Sequence, residues 1–239
     1  GDVLIFNYPR DKYVKYVKRC IAGPGDTLVI QNKQVYLNGS LTELPENYVF
    51  SQPEVPKTMK QKSVYLSSEL NINKDNMGPI IIPKKGDYFK IDKNTNWREL
   101  LPIMMMEGNK AELKGNQKTF IFTLQDPFEL DRRKNHPSVF EPYFGYGNGN
   151  LITPWSRQIL DNHFQYLAIN GKPIADWEGY EVRQNYYWAM GDNRDDSLDS
   201  RYWGLIPENF VLGEALFAYF SLDLRSYIPR FDRIGTIID

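Results

Sequence analysis

Gly191-Asp192-Asn193-Arg194-Asp195-Asp196-Ser197-Leu198-Asp199-Ser200-Arg201-Tyr202-Trp203-Gly204-Leu205-Ile206-Pro207 is the stretch whose reading decides this fold. It follows Tyr186-Tyr187-Trp188-Ala189-Met190, an aromatic run that reads as a buried strand entering a polar loop. Asp192, Asp195, Asp196 and Asp199 lie within a few residues of Arg194 and Arg201, with Ser197 among them. A loop built only to turn needs one Asx residue and a glycine. Complementary charges at this density predict a loop held by ion pairs, from which Tyr202 and Trp203 return the chain to the core.

Outward from that loop, the chain reads as strands and turns. Gly1 to Pro9 is an apolar run ended by proline, and Lys12 to Ile21 is a second strand. Gly23-Pro24-Gly25-Asp26 is a turn signal, followed by strands over Thr27–Ile30 and Gln34–Leu37 and the hairpin dipeptide Asn38-Gly39. To this point the pattern predicts an antiparallel meander. From Thr42 the texture changes to Pro, Asn, Lys and Gly, with apolar islands at Ile80-Ile81-Ile82 and Phe120-Ile121-Phe122. A short helix is expected over Asn96–Glu107, its Met104-Met105-Met106 filling core. Tyr143–Asn150 reads as an exposed loop. Tyr166 to Ile174 carries a second hairpin signature at Asn170-Gly171, and a closing strand is expected over Val211–Phe220 with a bulge at Gly213. The resulting expectation is a mainly β chain: an antiparallel core in two parts, 1–42 and 165–239, around a large, mostly β second domain inserted at 43–164.

Composition narrows the function. The 239 residues are 41% hydrophobic and 25% charged with a net charge of −1, which gives no footprint for nucleic acid. The single cysteine, Cys20, forms no internal disulfide, and His136 and His163 lack metal-ligand spacing, so neither metal nor cofactor is expected. Arg132–Lys134 reads as a solvated basic loop. No run approaches the roughly 18 apolar residues of a membrane span; Val211–Leu222 is interrupted by Glu214. Gly1-Asp2 enters a strand pattern directly, without a signal peptide, so the sequence reads as an excised fragment.

Strand alternation places Val14, Tyr16, Lys18 and Cys20 on one face of the second strand. Lys18 is the one charge on that face. Alternation alone leaves two readings open: a lysine that snorkels or pairs with a carboxylate, or an amine held neutral by burial and able to act as a base.

The Gly191–Gly204 stretch closely resembles the C-terminal signature of type I signal peptidases, membrane-bound serine proteases that remove secretory signal peptides. Tyr16-Val17-Lys18-Arg19-Cys20-Ile21-Ala22-Gly23-Pro24-Gly25-Asp26 resembles the segment carrying that family's general-base lysine, and Gly1–Phe6 the segment just before it. The resemblance implies a Ser-Lys dyad with Lys18 as general base. It further implies that Ser197 hydrogen-bonds the Lys18 amine, that Asp199 with Arg201 and Asp192 with Arg19 form supporting ion pairs, and that Phe6, Tyr16 and Leu198 wall the lysine from water. Lys15-Tyr16-Val17 would be the edge an extended signal peptide joins by β-augmentation, beside Phe6. Tyr16 and Val17 would flank a small apolar pocket suited to the Ala-x-Ala pattern of signal peptides.

The chain departs from the family at one point. In signal peptidases the nucleophilic serine, its Ser-Met-Pro setting and the membrane anchor lie upstream of the segment that begins here at Gly1. Ser40, Ser51, Ser63, Ser67 and Ser68 stand in the wrong order relative to Lys18. The resemblance therefore implies that residues 1–239 are inert alone. It also implies that an anchor outside them reaches the membrane lipid surface and holds the catalytic domain on the trans side, periplasmic or extracellular. Two alternatives remain. One is a catalytically dead relative that binds signal peptides or a partner; the other is a self-cleaving repressor-type protease, against which the Asp/Arg/Ser loop and the large insertion count.

Overall fold

Strand alternation and a Pro9-Arg10 turn build the first hairpin. β1 (Val3–Tyr8) and β2 (Asp11–Ala22) pair antiparallel, with Leu4 opposite Lys18 and Phe6 opposite Tyr16. The computed structural model describes residues 1–45, 48–61, 64–65, 72–115, 119–125, 151–155, 164–218, 222–223, 228–229 and 235–237. His136, His163, Ser63, Ser67, Ser68, the Arg132–Lys134 run and the Tyr143–Asn150 loop lie outside those residues.

After the turn at 23–26 the chain leaves the first sheet. β3 (Thr27–Gln31), β4 (Gln34–Leu37) and β5 (Ser40–Leu41) form a second antiparallel sheet, completed on the far side of β3 by β6 (Met77–Ile81). The expected continuous meander is thus divided. Gly25, at φ 88°, redirects the chain where a side chain would resist, and β6 rather than β2 becomes the neighbour of β3. β7 (Tyr88–Lys90) follows, then α1 (Trp97–Met106), started by Asn96, whose side-chain oxygen accepts the Arg98 amide. Every residue of α1 except Glu99 is buried, which explains a helix whose methionines lie in the core.

β8 (Ala111–Lys114), β9 (Thr119–Phe122), β10 (Leu151–Ile152), β11 (Leu167–Ile169) and β12 (Lys172–Pro173) form a third sheet, in the order β10-β9-β8-β11-β12. β13 (Gly179–Glu181) pairs with β7. β14 (Tyr186–Met190) then returns to the first sheet, followed by α2 (Ser200–Trp203), β15 (Ile206–Pro207) and β16 (Val211–Glu214). The first sheet runs β15-β14-β2-β1-β16 and is antiparallel throughout. The closing strand is shorter than its pattern suggested. It ends at Glu214, with a register break against Ile5 and Phe6 where Gly213 and Val211 pair; Phe217–Ala218 is a separate short strand, and Tyr219 and Phe220 lie outside the described residues.

The chain is mainly β, with two cores. The larger joins α1 to the faces of the second and third sheets and to Tyr186, Trp188 and Met190 of β14. The smaller consists of Phe6, Ala189, Trp203 and Ile206, with Leu4, Tyr8 and Tyr16 against it. At roughly 25 cal/mol per Å2 of apolar surface, even this small aromatic cluster contributes several kcal/mol. Lys18 stands at its margin, opposite Leu4.

Candidate active site

β2 is sandwiched for only part of its length. β1 covers it from Asp11 to Arg19, whereas β14 pairs only with Arg19, Cys20 and Ala22. The Cys20 amide donates to the Asp2 carbonyl at 2.8 Å, so alternation turns the amides of Lys18 and Tyr16 toward β1. Those of Val17 and Lys15 turn to the other side, beyond the end of β14. Both side chains are exposed, Val17 at 53%. Among the described residues the segment 15–17 thus presents an open strand edge directly before Lys18.

The amine sits where β14 gives way to the polar loop. Gly191 has no side chain at the point where Lys18 and Ser197 converge: a methyl built there would overlap Ser197 Oγ and lie 3.6 Å from Lys18 Nζ. Tyr16 lies beside the amine, its ring centroid 5.5 Å from Nζ, and stands edge-on to Phe6, which is fully buried. Burial pushes the Lys18 amine below the ordinary lysine value. Asp199 and Asp192 pull it back up and Arg201 lowers it further, with burial prevailing. Ser197 Oγ is buried and finds no hydrogen-bond partner among the described residues, so the hydroxyl and the amine meet at Gly191 without a mutual bond. Leu198 is half-exposed rather than a closed wall.

Two ion pairs hold the loop. Arg19 makes a two-pronged contact with Asp192, at 2.9 and 3.0 Å, and also donates to the Gly1 carbonyl. Asp199 is fully buried and receives Arg201 through both guanidinium prongs at 2.8 Å. The same carboxylate caps α2 and accepts the Gly191 amide, so one side chain ties both ends of the loop together. Ser200 Oγ accepts the Ala189 amide and fastens α2 to β14. Cys20 is inert by comparison, because burial pushes its thiol up to about 11.

Several participants escaped the sequence reading. Leu4 could have been found by counting the β1–β2 hairpin register. Tyr48 and Val49 could not. Val49 pairs in parallel with Asn193, and Tyr48 lies under the Arg194 guanidinium at 4.3 Å and accepts a hydrogen bond from it. Nor could Lys33 and Lys74, two buried cations that meet on Asp195. No local pattern announces a contact 162 residues away in sequence.

The first sheet thus brings together a strand edge, a desolvated lysine and a buried serine. Among the described residues no cluster of His, Cys, Asp and Glu could hold a metal ion. The family model for "Signal peptidase, peptidase S26" matches residues 1–96 and 131–220, and the chain belongs to that family. It is 27% identical to signal peptidase I of Buchnera aphidicola subsp. Baizongia pistaciae over 241 residues, covering 99% of this chain and 61% of the relative. Signal peptidase I of Haemophilus influenzae is 30% identical over 158 residues, 63% of this chain and 42% of the relative. That of Aquifex aeolicus is 44% identical over a 51-residue stretch, 21% of this chain and 20% of the relative. The chain thus spans about three-fifths of the length of the curated relatives it matches most fully. Among the described residues no helix is long and apolar enough to cross a membrane.

Proposed function

We propose that this chain carries the general-base half of a signal peptidase I site, in a serine endopeptidase that cleaves N-terminal signal peptides from secreted preproteins. The observation that carries the reading is the desolvated Lys18 amine beside an open strand edge. An ammonium cannot accept a proton, and burial is what lowers the amine toward a usable base. Ser197 is not the nucleophile in this account. Its Oγ is buried against Gly191. Ser197 instead packs beside the amine at Gly191 and limits where it can sit, and the attacking serine belongs to a part of the full-length protein outside residues 1–239.

In the reaction, Lys18 takes the proton from that serine as its oxygen attacks the scissile carbonyl. The same amine then hands the proton to the leaving nitrogen, which becomes the N-terminus of the mature protein. In the second half, Lys18 takes a proton from water as it attacks the acyl-enzyme, and the serine is regenerated. The signal peptide lies as an added strand on Lys15-Tyr16-Val17. Phe6, Tyr16 and Val17 keep its pocket small and apolar, favouring alanine in an Ala-x-Ala pattern. Asp199–Arg201 and Asp192–Arg19 hold the loop against the lysine strand. A membrane anchor in the full-length protein places the site at the lipid surface on the trans side.

The test is cleavage of a preprotein by full-length protein and by Lys18→Ala. The reading predicts at least a thousandfold loss of kcat on removal of the base, in the range general-base removal gives when little else can substitute. Residues 1–239 alone should release no product. Retained cleavage by Lys18→Ala would refute the role of Lys18, and cleavage by residues 1–239 would refute the external nucleophile. A full-length protein inert from the outset would point to a signal-peptide-binding relative.

A further inference from the structure

Asp195 lies two residues before Ser197 and has no exposed side-chain surface. Its carboxylate receives Lys33 Nζ at 3.0 and 3.1 Å, Lys74 Nζ, and the amides of Ser51 and Gln52 at 2.9 Å each. Both lysines are buried, at 8% and 5% exposure, and Lys33 also donates to the Gln52 carbonyl at 2.7 Å. Asp75, 3.9 Å from Lys74, brings the cluster to neutrality. Three segments of chain therefore converge on one carboxylate of the site loop: the β3–β4 turn, residues 51–52 and the turn at 73–76.

The β3–β4 turn shows that the contact is bought with backbone strain. Among the described residues, three two-residue hairpin turns share a left-handed pair of residues. Asn38-Gly39 has φ 52° and 84°, Asn170-Gly171 52° and 80°, and Asn32-Lys33 52° and 67°. Glycine is the residue suited to the second position, and two of the turns use it. In the third a lysine adopts the left-handed conformation that its Cβ disfavours. What glycine lacks is the side chain that reaches Asp195.

We propose that Lys33 and Lys74 are positioning residues for the catalytic site: by clamping Asp195 they fix the backbone that seats Ser197 against Gly191 and Lys18. The proposal rests on the reading of Lys18 as general base. Burying two ammonium groups on one carboxylate is a poor route to stability alone, and a registered loop is the better-attested use of such a pair. The Asp199–Arg201 and Arg19–Asp192 pairs fasten the two ends of the loop. The lysine clamp fastens the loop two residues before the serine.

Lys33→Gly is the decisive variant, because it gives the turn the residue its backbone prefers and removes only the side chain. In the full-length protein acting on a preprotein, Lys33→Gly should lower kcat at least tenfold with KM changed less than about twofold. The acidic limb of the rate profile should move to higher pH. That limb reports Lys18, whose charged and titratable neighbours are Asp199, Asp192, Arg201 and Tyr16; none of these is altered in the variant. Lys74→Met and Asp195→Asn should shift the limb the same way, and they carry the prediction should Lys33→Gly not fold. Met104→Ala, in the core of α1, should lower thermal stability and leave the limb in place. An unmoved limb and unchanged kcat in the clamp variants, with Lys18→Ala inactive, would overturn the clamp alone. An active Lys18→Ala would overturn the base reading and the clamp with it.

Discussion

Gly191 is the residue on which the site geometry turns, because the space its missing side chain leaves is shared by Ser197 Oγ and Lys18 Nζ. Gly191→Ala should displace Ser197, lower kcat at least a hundredfold and destabilise the fold by about 1–3 kcal/mol, the usual cost of overpacking. Chemical denaturation and preprotein cleavage would measure the two effects. Lys18 carries the opposite liability. Its folded-state pKa is depressed, so the unfolded chain binds a proton the folded chain resists. The resulting penalty is absent above the ordinary lysine value and grows as pH falls toward the depressed one. Lys18→Met should therefore stabilise the protein at neutral pH. The gain should be no more than about 1 kcal/mol, since solvent partly screens the amine, and it should vanish near pH 11. Denaturation midpoints at pH 7 and pH 11 would show it. Lys18 itself was legible from alternation on β2. Its role was not, because a lone strand lysine reads equally well as a snorkelling one, and the base reading came from the resemblance of three segments, Gly1–Phe6, Tyr16–Asp26 and Gly191–Gly204, to one family.

The strand β2 does two jobs along its length. Its C-terminal part is covered on both sides by β1 and β14, whereas among the described residues Lys15–Val17 has a strand partner on one side only. Amide hydrogen exchange should find Tyr16 and Lys18 protected and Lys15 and Val17 fast. A non-cleavable signal-peptide analogue should slow the second pair by at least tenfold. Equal protection of all four without peptide would rule out a free edge. The β1–β2 hairpin, the Asn-Gly turns and α1 were readable from local chemistry: Pro9, the turn glycines and Asn96 mark their ends. The β3–β6 pairing was not, since β6 follows a long stretch without regular pattern, and a short apolar island does not name its partner strand.

Across the whole molecule, the loop that carries Ser197 is braced by segments remote in sequence, Lys33, Tyr48–Gln52 and Lys74, that no periodicity could connect. This gives the fold an acid sensitivity. Burial alone would raise the Asp195 carboxyl, but hydrogen bonds from Lys74, the Gln52 amide, Lys33 and the Ser51 amide outweigh it and hold the group well below the usual carboxylate range. A depressed carboxyl contributes stability that is complete above its unfolded value, about pH 4, and lost as pH falls through the folded one. Asp195→Asn should therefore cost about 3 kcal/mol at pH 7, as expected for breaking a buried pair. Its gap from wild type should narrow progressively below about pH 4. The most direct test of the whole account is an NMR titration of the side-chain amines in 13C-lysine-labelled protein. The account predicts that Lys18 loses its proton below the ordinary lysine value. Lys18 titrating at or above that value would contradict it.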